Sequence, residues 1–287
     1  MIRIVTDSAA DLTSQECEAL GIVVVPLRIQ FPEGVVNSED ITRDEFYNRL
    51  DAMWPHIPST SLPPPGMFTD LYRKIAKQDK EILSIHISSG LSNTLESASL
   101  GAREVEDADI LIVDSMTLSG GQRFQVLSAS FATRAGKGKD KILEQLERIR
   151  ASTETIYTLD TLSYLAKGGR IGRVQALAGV LLKIKPIIHV DRTDGKYSTV
   201  GKERTLARSL EAIASYLGKE FGDTRLWVSV MHGQAADYAD QLAQLLKAKL
   251  NIAKLETLRI SPVLGVHTGP KIVGASVVPI ALMENQD

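Results

Sequence analysis

Three stretches of this chain concentrate the residue types that hold a small anion. Pro58-Ser59-Thr60-Ser61-Leu62-Pro63-Pro64-Pro65-Gly66 sets three hydroxyls in a proline-stiffened run. Proline fixes its own φ and keeps its predecessor extended, so the segment is not helical and Thr60 and Ser61 project from a stiff loop. Ser88-Ser89-Gly90-Leu91-Ser92-Asn93-Thr94 and Val266-His267-Thr268-Gly269-Pro270 repeat the chemistry, the second as a glycine-containing loop with an imidazole. Hydroxyls, backbone N–H groups beside glycine and one imidazole suit a carboxylate or a phosphate. His267, flanked by side chains of little polarity, is the natural donor, and a protonated ring would weaken its hold as pH rises through its pKa.

The usual catalytic apparatus is missing around these loops. A nucleophilic serine sits in Gly-x-Ser-x-Gly. Here Gly90-Leu91-Ser92-Asn93-Thr94 keeps the first glycine and loses the second, just before a helical stretch where serine is an ordinary cap. A hydrolase or acyltransferase built on Ser92 and His267 is the alternative reading, but no acid is placed to orient the histidine. Asp7-Ser8 and Asp114-Ser115 each end a predicted strand. Such residues commonly cap the following helix, and that role outweighs metal binding or phosphotransfer by Asp7 and Asp114. The five histidines are scattered without ligand spacing, so no metal and no cofactor are expected. Lys167-Gly168-Gly169-Arg170-Ile171-Gly172-Arg173 packs three cations among glycines, and Lys167, Arg170 and Arg173 are candidate contacts for a partner or a phosphate.

The elements that must position these loops follow from hydrophobic patterning. The chain has 287 residues, 44% of them apolar, enough for substantial cores near the size where one core divides. β-Branched runs predict strands over 2–6, 22–29, 82–87, 110–113, 155–158, 186–190, 197–200, 226–231, 254–259 and 274–282. Amphipathic stretches predict helices near 13–20, 43–53, 67–77, 92–105, 121–135, 140–150, 161–167, 173–182, 203–219 and 234–250. The alternation is that of an α/β protein. Asp194-Gly195 marks a hairpin turn, so the second half is mixed. The expected architecture is two α/β domains. Residues 1–152 carry a mostly parallel sheet with helices on both faces and the hydroxyl loops; residues 153–287 carry a mixed sheet, His267 and the basic loop.

Composition narrows the function further. A net charge of -2 argues against nucleic acid. No apolar run is long enough for a transmembrane helix, and the first residues read as a strand and not as a signal peptide. The single cysteine, Cys17, excludes an intrachain disulfide and fits a reducing cytoplasm.

The ordered motifs resemble the DegV family of bacterial fatty-acid-binding proteins. The matching residues are Thr6-Asp7-Ser8 with Asp11-Leu12, Thr60-Ser61 with Pro63, Ser88-Ser89 with Leu91-Ser92 and Thr94, and Asp114-Ser115. They continue with Leu162, Lys167-Gly168-Gly169-Arg170-Ile171, Lys185-Pro186-Ile187, and Leu264-Gly265 with His267 and Gly269-Pro270. The resemblance implies one long-chain fatty acid in a buried tunnel, its carboxylate held by Thr60, Ser92 and His267, with Ser61 and the Asn93 backbone close by. It also implies presentation of that carboxylate to a separate ATP-dependent fatty acid kinase subunit, whose acyl phosphate feeds phospholipid synthesis. Transient contact with a membrane surface is compatible with that role. Burying a methylene stabilises by about 0.8 kcal/mol, so a sixteen-carbon chain gains on the order of 10 kcal/mol before ordering costs. Leu62, Pro64, Asn93, Arg123 and Lys271 depart from the family's pattern. Among them, Lys271 is expected to add positive charge near the carboxylate.

Overall fold

The structure is a computed structural model and describes residues 2–174 and 184–284. Along the chain run β1 (Arg3–Asp7), α1 (Ser14–Leu20), β2 (Val23–Val25), β3 (Arg28–Phe31), β4 (Gly34–Asn37), α2 (Arg43–Ala52), β5 (Ser59–Ser61) and α3 (Pro65–Ala76). Then come β6 (Glu81–His86), α4 (Thr94–Arg103), β7 (Asp109–Asp114), α5 (Ser119–Arg134), α6 (Lys139–Ser152), β8 (Glu154–Thr158) and α7 (Ser163–Lys167). The rest comprises β9 (Lys185–Val190), β10 (Tyr197–Glu203), α8 (Leu206–Phe221), β11 (Leu226–His232), α9 (Ala236–Lys247), β12 (Ile252–Arg259), α10 (Pro262–Thr268), β13 (Val273–Pro279) and α11 (Ala281–Glu284).

The first sheet is parallel, in the order β2-β1-β6-β7. Its side chains alternate between faces, as a pleated strand requires. Val5 and Ile82 pack with Phe68, Tyr72 and Ala98 of α3 and α4, whereas Ile4, Leu83 and Ile85 pack with Phe124 and Leu127 of α5. Helices therefore cover both faces. A six-stranded sheet, β10-β9-β8-β13-β11-β12, is antiparallel except for the β11–β12 pair, which makes it mixed as expected. Helix α5 lies between the two sheets, against β1 and β6 on one side and β8 and β13 on the other. That position explains why it is buried almost all round.

Several local expectations needed correction. The run read as one strand over 22–29 is two, because Pro26 has no N–H to continue a ladder; β2 and β3 then enter different sheets. β3 is central to a small antiparallel sheet, β4-β3-β5, that patterning did not reveal. The hydroxyl run read as a loop is partly its edge strand β5, with Thr60 opposite Ile29. Edge placement is where flanking prolines are tolerated. The run read as a loop around His267 is the last turn of α10. The last strand stops at Pro279. Beyond Val174, the helix expected over 173–182 lies outside the described residues.

Candidate functional site

A cavity of about 350 Å³ opens where the three sheets meet. Thr60 and Ser61 reach it from β5, Ser92 and Thr94 from the turn into α4, and His267 from α10. Its remaining wall is largely aliphatic and includes Leu27, Ile87, Leu91 and Val263. Leu118, Tyr197 and Leu264 line both this cavity and a small inner void of about 10 Å³, whose other walls include Tyr157, Ile188 and Ile260. The void is apolar and about large enough for one water, so beyond the shared residues Leu118, Tyr197 and Leu264 the space continues as hydrocarbon.

The polar groups have a defined geometry. Thr60 Oγ1 and His267 Nε2 are 2.8 Å apart, and His267 Nδ1 is buried without a hydrogen-bond partner. Burial, and then the charge of Arg170, push the imidazole down to about 3. The ring is neutral at physiological pH, which corrects the expectation of a protonated His267 and of binding that fades as that ring titrates. Ser92 Oγ and Thr94 Oγ1 are 2.8 Å apart, and Ser92 Oγ also accepts the Thr94 N–H at 3.3 Å. Asn93 stands at the start of α4, exposed and outside the cavity lining, which the buried Thr94 borders instead. His267 Nδ1 has no carboxylate beside it, which leaves Ser92 and His267 without the oriented base of an acyl-transfer triad.

Two interlocked loops hold the Ser92 segment against the second sheet. Ser88 donates its hydroxyl to the Gly195 carbonyl at 2.8 Å, at the tip of the β9–β10 hairpin. Gly195 adopts φ +65°, and a side chain there would meet Ser88 Oγ at 2.0 Å. The hairpin turn that Asp194-Gly195 announces thus also fixes the hydroxyl loop.

The cations of the basic loop separate into distinct roles. Lys167 donates to the Pro55 carbonyl at 2.7 Å and lies 5.3 Å from the Trp54 ring centre. Arg173 pairs with Asp194 at 2.9 Å and Asp191 at 3.3 Å. Arg170 donates to the Gly168 carbonyl at 2.8 Å, is exposed, and lines the cavity, so it is a cation at the cavity's opening. Lys271 does not border this cavity. It lines a separate one of about 310 Å³ with Asp51, Trp54, Asp160 and Tyr164, because Gly269 at φ +78° turns the chain away after α10. Arg123 is remote from the head-group residues as well. It is buried in α5 and pairs with Glu16 (Nη1 to Oε2, 2.5 Å) and Glu256 (Nε to Oε1, 3.3 Å).

Asp7 and Asp114 both accept backbone N–H groups. Asp7 takes those of Ala9 and Ile87 at 3.0 Å each, and Asp114 takes that of Met116 at 2.8 Å. Patterning missed what else Asp7 does. Its Oδ2 lies 2.9 Å from His86 Nδ1, His86 Nε2 lies 2.8 Å from Ser84 Oγ, and Ser84 Oγ lies 2.8 Å from Tyr72 OH. This sealed chain ties α3 to the sheet centre. A polar Ser84 and His86 inside an apolar strand were its one sequence signal. Among the described residues, no group of His, Cys, Asp and Glu is placed to hold a metal, and no helix is long and apolar enough to cross a membrane.

Comparisons with known proteins match the chain and its fold over nearly their whole length. The family model described as "Uncharacterised protein, DegV family" matches residues 1–280. A DegV domain-containing protein of Deinococcus radiodurans is 34% identical over 259 residues, 90% of this chain and 89% of the relative. Among solved structures, a DegV family protein from Thermus thermophilus described for its fatty acid binding superposes with a TM-score of 0.90. It is 30% identical and covers 97% of this chain and 99% of its own. A stearic acid-binding protein from Eubacterium ventriosum, also 30% identical, superposes at 0.85 and covers 97% of this chain and 98% of its own.

Proposed function

The chain belongs to the DegV family, and from that premise we propose that it carries one long-chain fatty acid and performs no chemistry on it. The observation that carries the reading is the lining of the cavity: the polar Thr60, Ser61, Ser92, Thr94, His267 and Arg170 beside aliphatic side chains. An acyl chain leaving water for such walls gains about 0.8 kcal/mol per methylene. The carboxylate loses hydration on entry, and hydroxyl donors together with the Arg170 guanidinium offset that loss. The neutral imidazole serves by holding Thr60. With Arg170 exposed beside the head group, the carboxylate is reachable by a second protein, and the occupant we propose for that role is an ATP-dependent kinase that phosphorylates it. Residues 1–152 and 153–287 act as the two halves that close over the acyl chain.

Native mass spectrometry of freshly purified protein, with organic extraction, tests the carrier reading. A fatty acid at about one per chain is the expected result. An unliganded mass that stays unchanged after incubation with palmitate would overturn it. The kinase step is tested separately, by adding the candidate kinase and ATP to loaded protein and trapping acyl phosphate with hydroxylamine. Hydroxamate formed without the kinase would instead make this chain the enzyme.

A further inference from the structure

Gly168 sits where the ring of His267 leaves no room for a side chain. Its backbone does not require glycine: φ −76° and ψ −4° are open to any residue. A Cβ built on Gly168 would stand 2.1 Å from His267 Nδ1, 2.9 Å from Cε1 and 3.2 Å from Cγ. Those three distances put the point close to the ring plane on the outward side of Nδ1. That is the direction in which Nδ1 carries either a proton or a lone pair. In glycine the same direction is occupied by a Cα–H hydrogen. A proton on Nδ1 would collide with it, whereas a lone pair accepts it as a weak C–H contact. Nδ1 is buried and has no hydrogen-bond partner, as a nitrogen without a proton can tolerate better than a stranded donor.

We infer that Gly168 is a positioning residue that locks His267 in the Nε2–H tautomer and thereby sets the direction of the Thr60 hydroxyl. With the proton on Nε2, the ring donates to Thr60 Oγ1 across 2.8 Å, and the Thr60 O–H is free to donate into the cavity. With the proton on Nδ1 the polarity reverses. Thr60 would donate to the ring and present oxygen lone pairs to an incoming anion, which repels it. Gly168 also accepts the Arg170 guanidinium on its carbonyl, so one peptide arranges both polar groups at the head of the cavity. Burial and the nearby Arg170 charge independently keep the ring neutral. The tautomer stands without any ligand; its consequence for binding rests on the fatty-acid reading.

The experiment is a two-bond ¹H–¹⁵N correlation spectrum of the delipidated full chain at neutral pH, with the His267 signals assigned by their loss in His267→Gln. The expected pattern is a single Nε2–H tautomer. An Nδ1–H or doubly protonated ring would overturn the inference, whether or not the protein binds lipid. Gly168→Ala should disturb that pattern and weaken palmitate binding about tenfold, the loss of one hydrogen bond to a charged group. In the Thr60→Val background the same change should cost little more, because both act through one bond. Gly66→Ala, where a methyl meets nothing within 4 Å, is the control. A Gly168→Ala protein that keeps the wild-type tautomer and affinity would also overturn it. If that variant does not fold, the wild-type spectrum still decides. Failure of the wild type to bind palmitate would count against the carrier reading and leave the tautomer measurement intact.

Discussion

Replacing Thr60 by valine removes one hydroxyl and keeps the shape of the side chain, so its effect can be worked from the hydrogen bonds alone. In the ligand-free protein the 2.8 Å contact with His267 Nε2 disappears. A typical net contribution of that kind is about 1 kcal/mol, with up to about 2 kcal/mol more if the ring N–H is left unpaired. In the complex the variant additionally loses the bond to the carboxylate, and hydrogen bonds to charged groups contribute about 1.5–3 kcal/mol. At about 1.4 kcal/mol per factor of ten, affinity should fall roughly 10- to 100-fold. Thr60→Ser keeps the hydroxyl and should stay close to the wild type. Displacement of a fluorescent fatty acid by palmitate measures the affinity, and urea unfolding of delipidated protein measures the stability term. A Thr60→Val protein that binds palmitate within about threefold of the wild type would refute the placement of the carboxylate beside Thr60.

Two further changes probe the frame that holds the site. Arg123→Leu leaves Glu16 and Glu256 without their buried partner and should destabilise the chain by about 3–5 kcal/mol in urea or guanidinium titrations. Although burial, the largest influence, raises the Glu16 carboxyl, hydrogen bonds from Arg123 and Thr13 hold it down to about 2 against an ordinary 4.5. That stabilisation is fully present above about pH 4.5 and is lost as pH falls toward 2. The acid limb of a stability–pH profile should therefore flatten in Arg123→Leu, and an unchanged limb would contradict the assignment. Gly90→Ala places a methyl 2.7 Å from the Asp194 carbonyl oxygen and 2.8 Å from Lys196 Cγ. Prying the hydroxyl loop from the hairpin should cost about 1–3 kcal/mol, read as a lowered Tm, and weaken palmitate binding through displaced Ser92.

What the sequence determined by itself was local. The β-branched runs of β1, β6, β7 and β11 and the amphipathic stretches of α8 and α9 are legible because each pattern repeats with the period of its own backbone. The same holds for the Asp194-Gly195 turn and for Asp7, which caps the short 3-10 turn Ser8–Ala10, whereas Asp114 accepts the Met116 N–H in a turn that precedes α5 and caps no helix. Thr60, Ser92 and His267 could be named as candidates because three short segments concentrate hydroxyls and an imidazole, and all three residues line the cavity. Only the tertiary structure decided the rest. β5 is three residues long and becomes a strand through pairing with β3, some thirty positions earlier in the chain. Lys271 follows His267 by four residues yet faces another cavity, because one left-handed glycine redirects the backbone. Arg123 looked like a departure in a binding segment and is a buried strut between α1 and β12. The charge of His267 depends on burial beneath a loop about a hundred residues away in sequence and then on Arg170 of that loop. Protonation and hydrogen-bond direction depend on the dielectric and the atoms that surround a group, and folding brings those neighbours from segments that no local pattern connects.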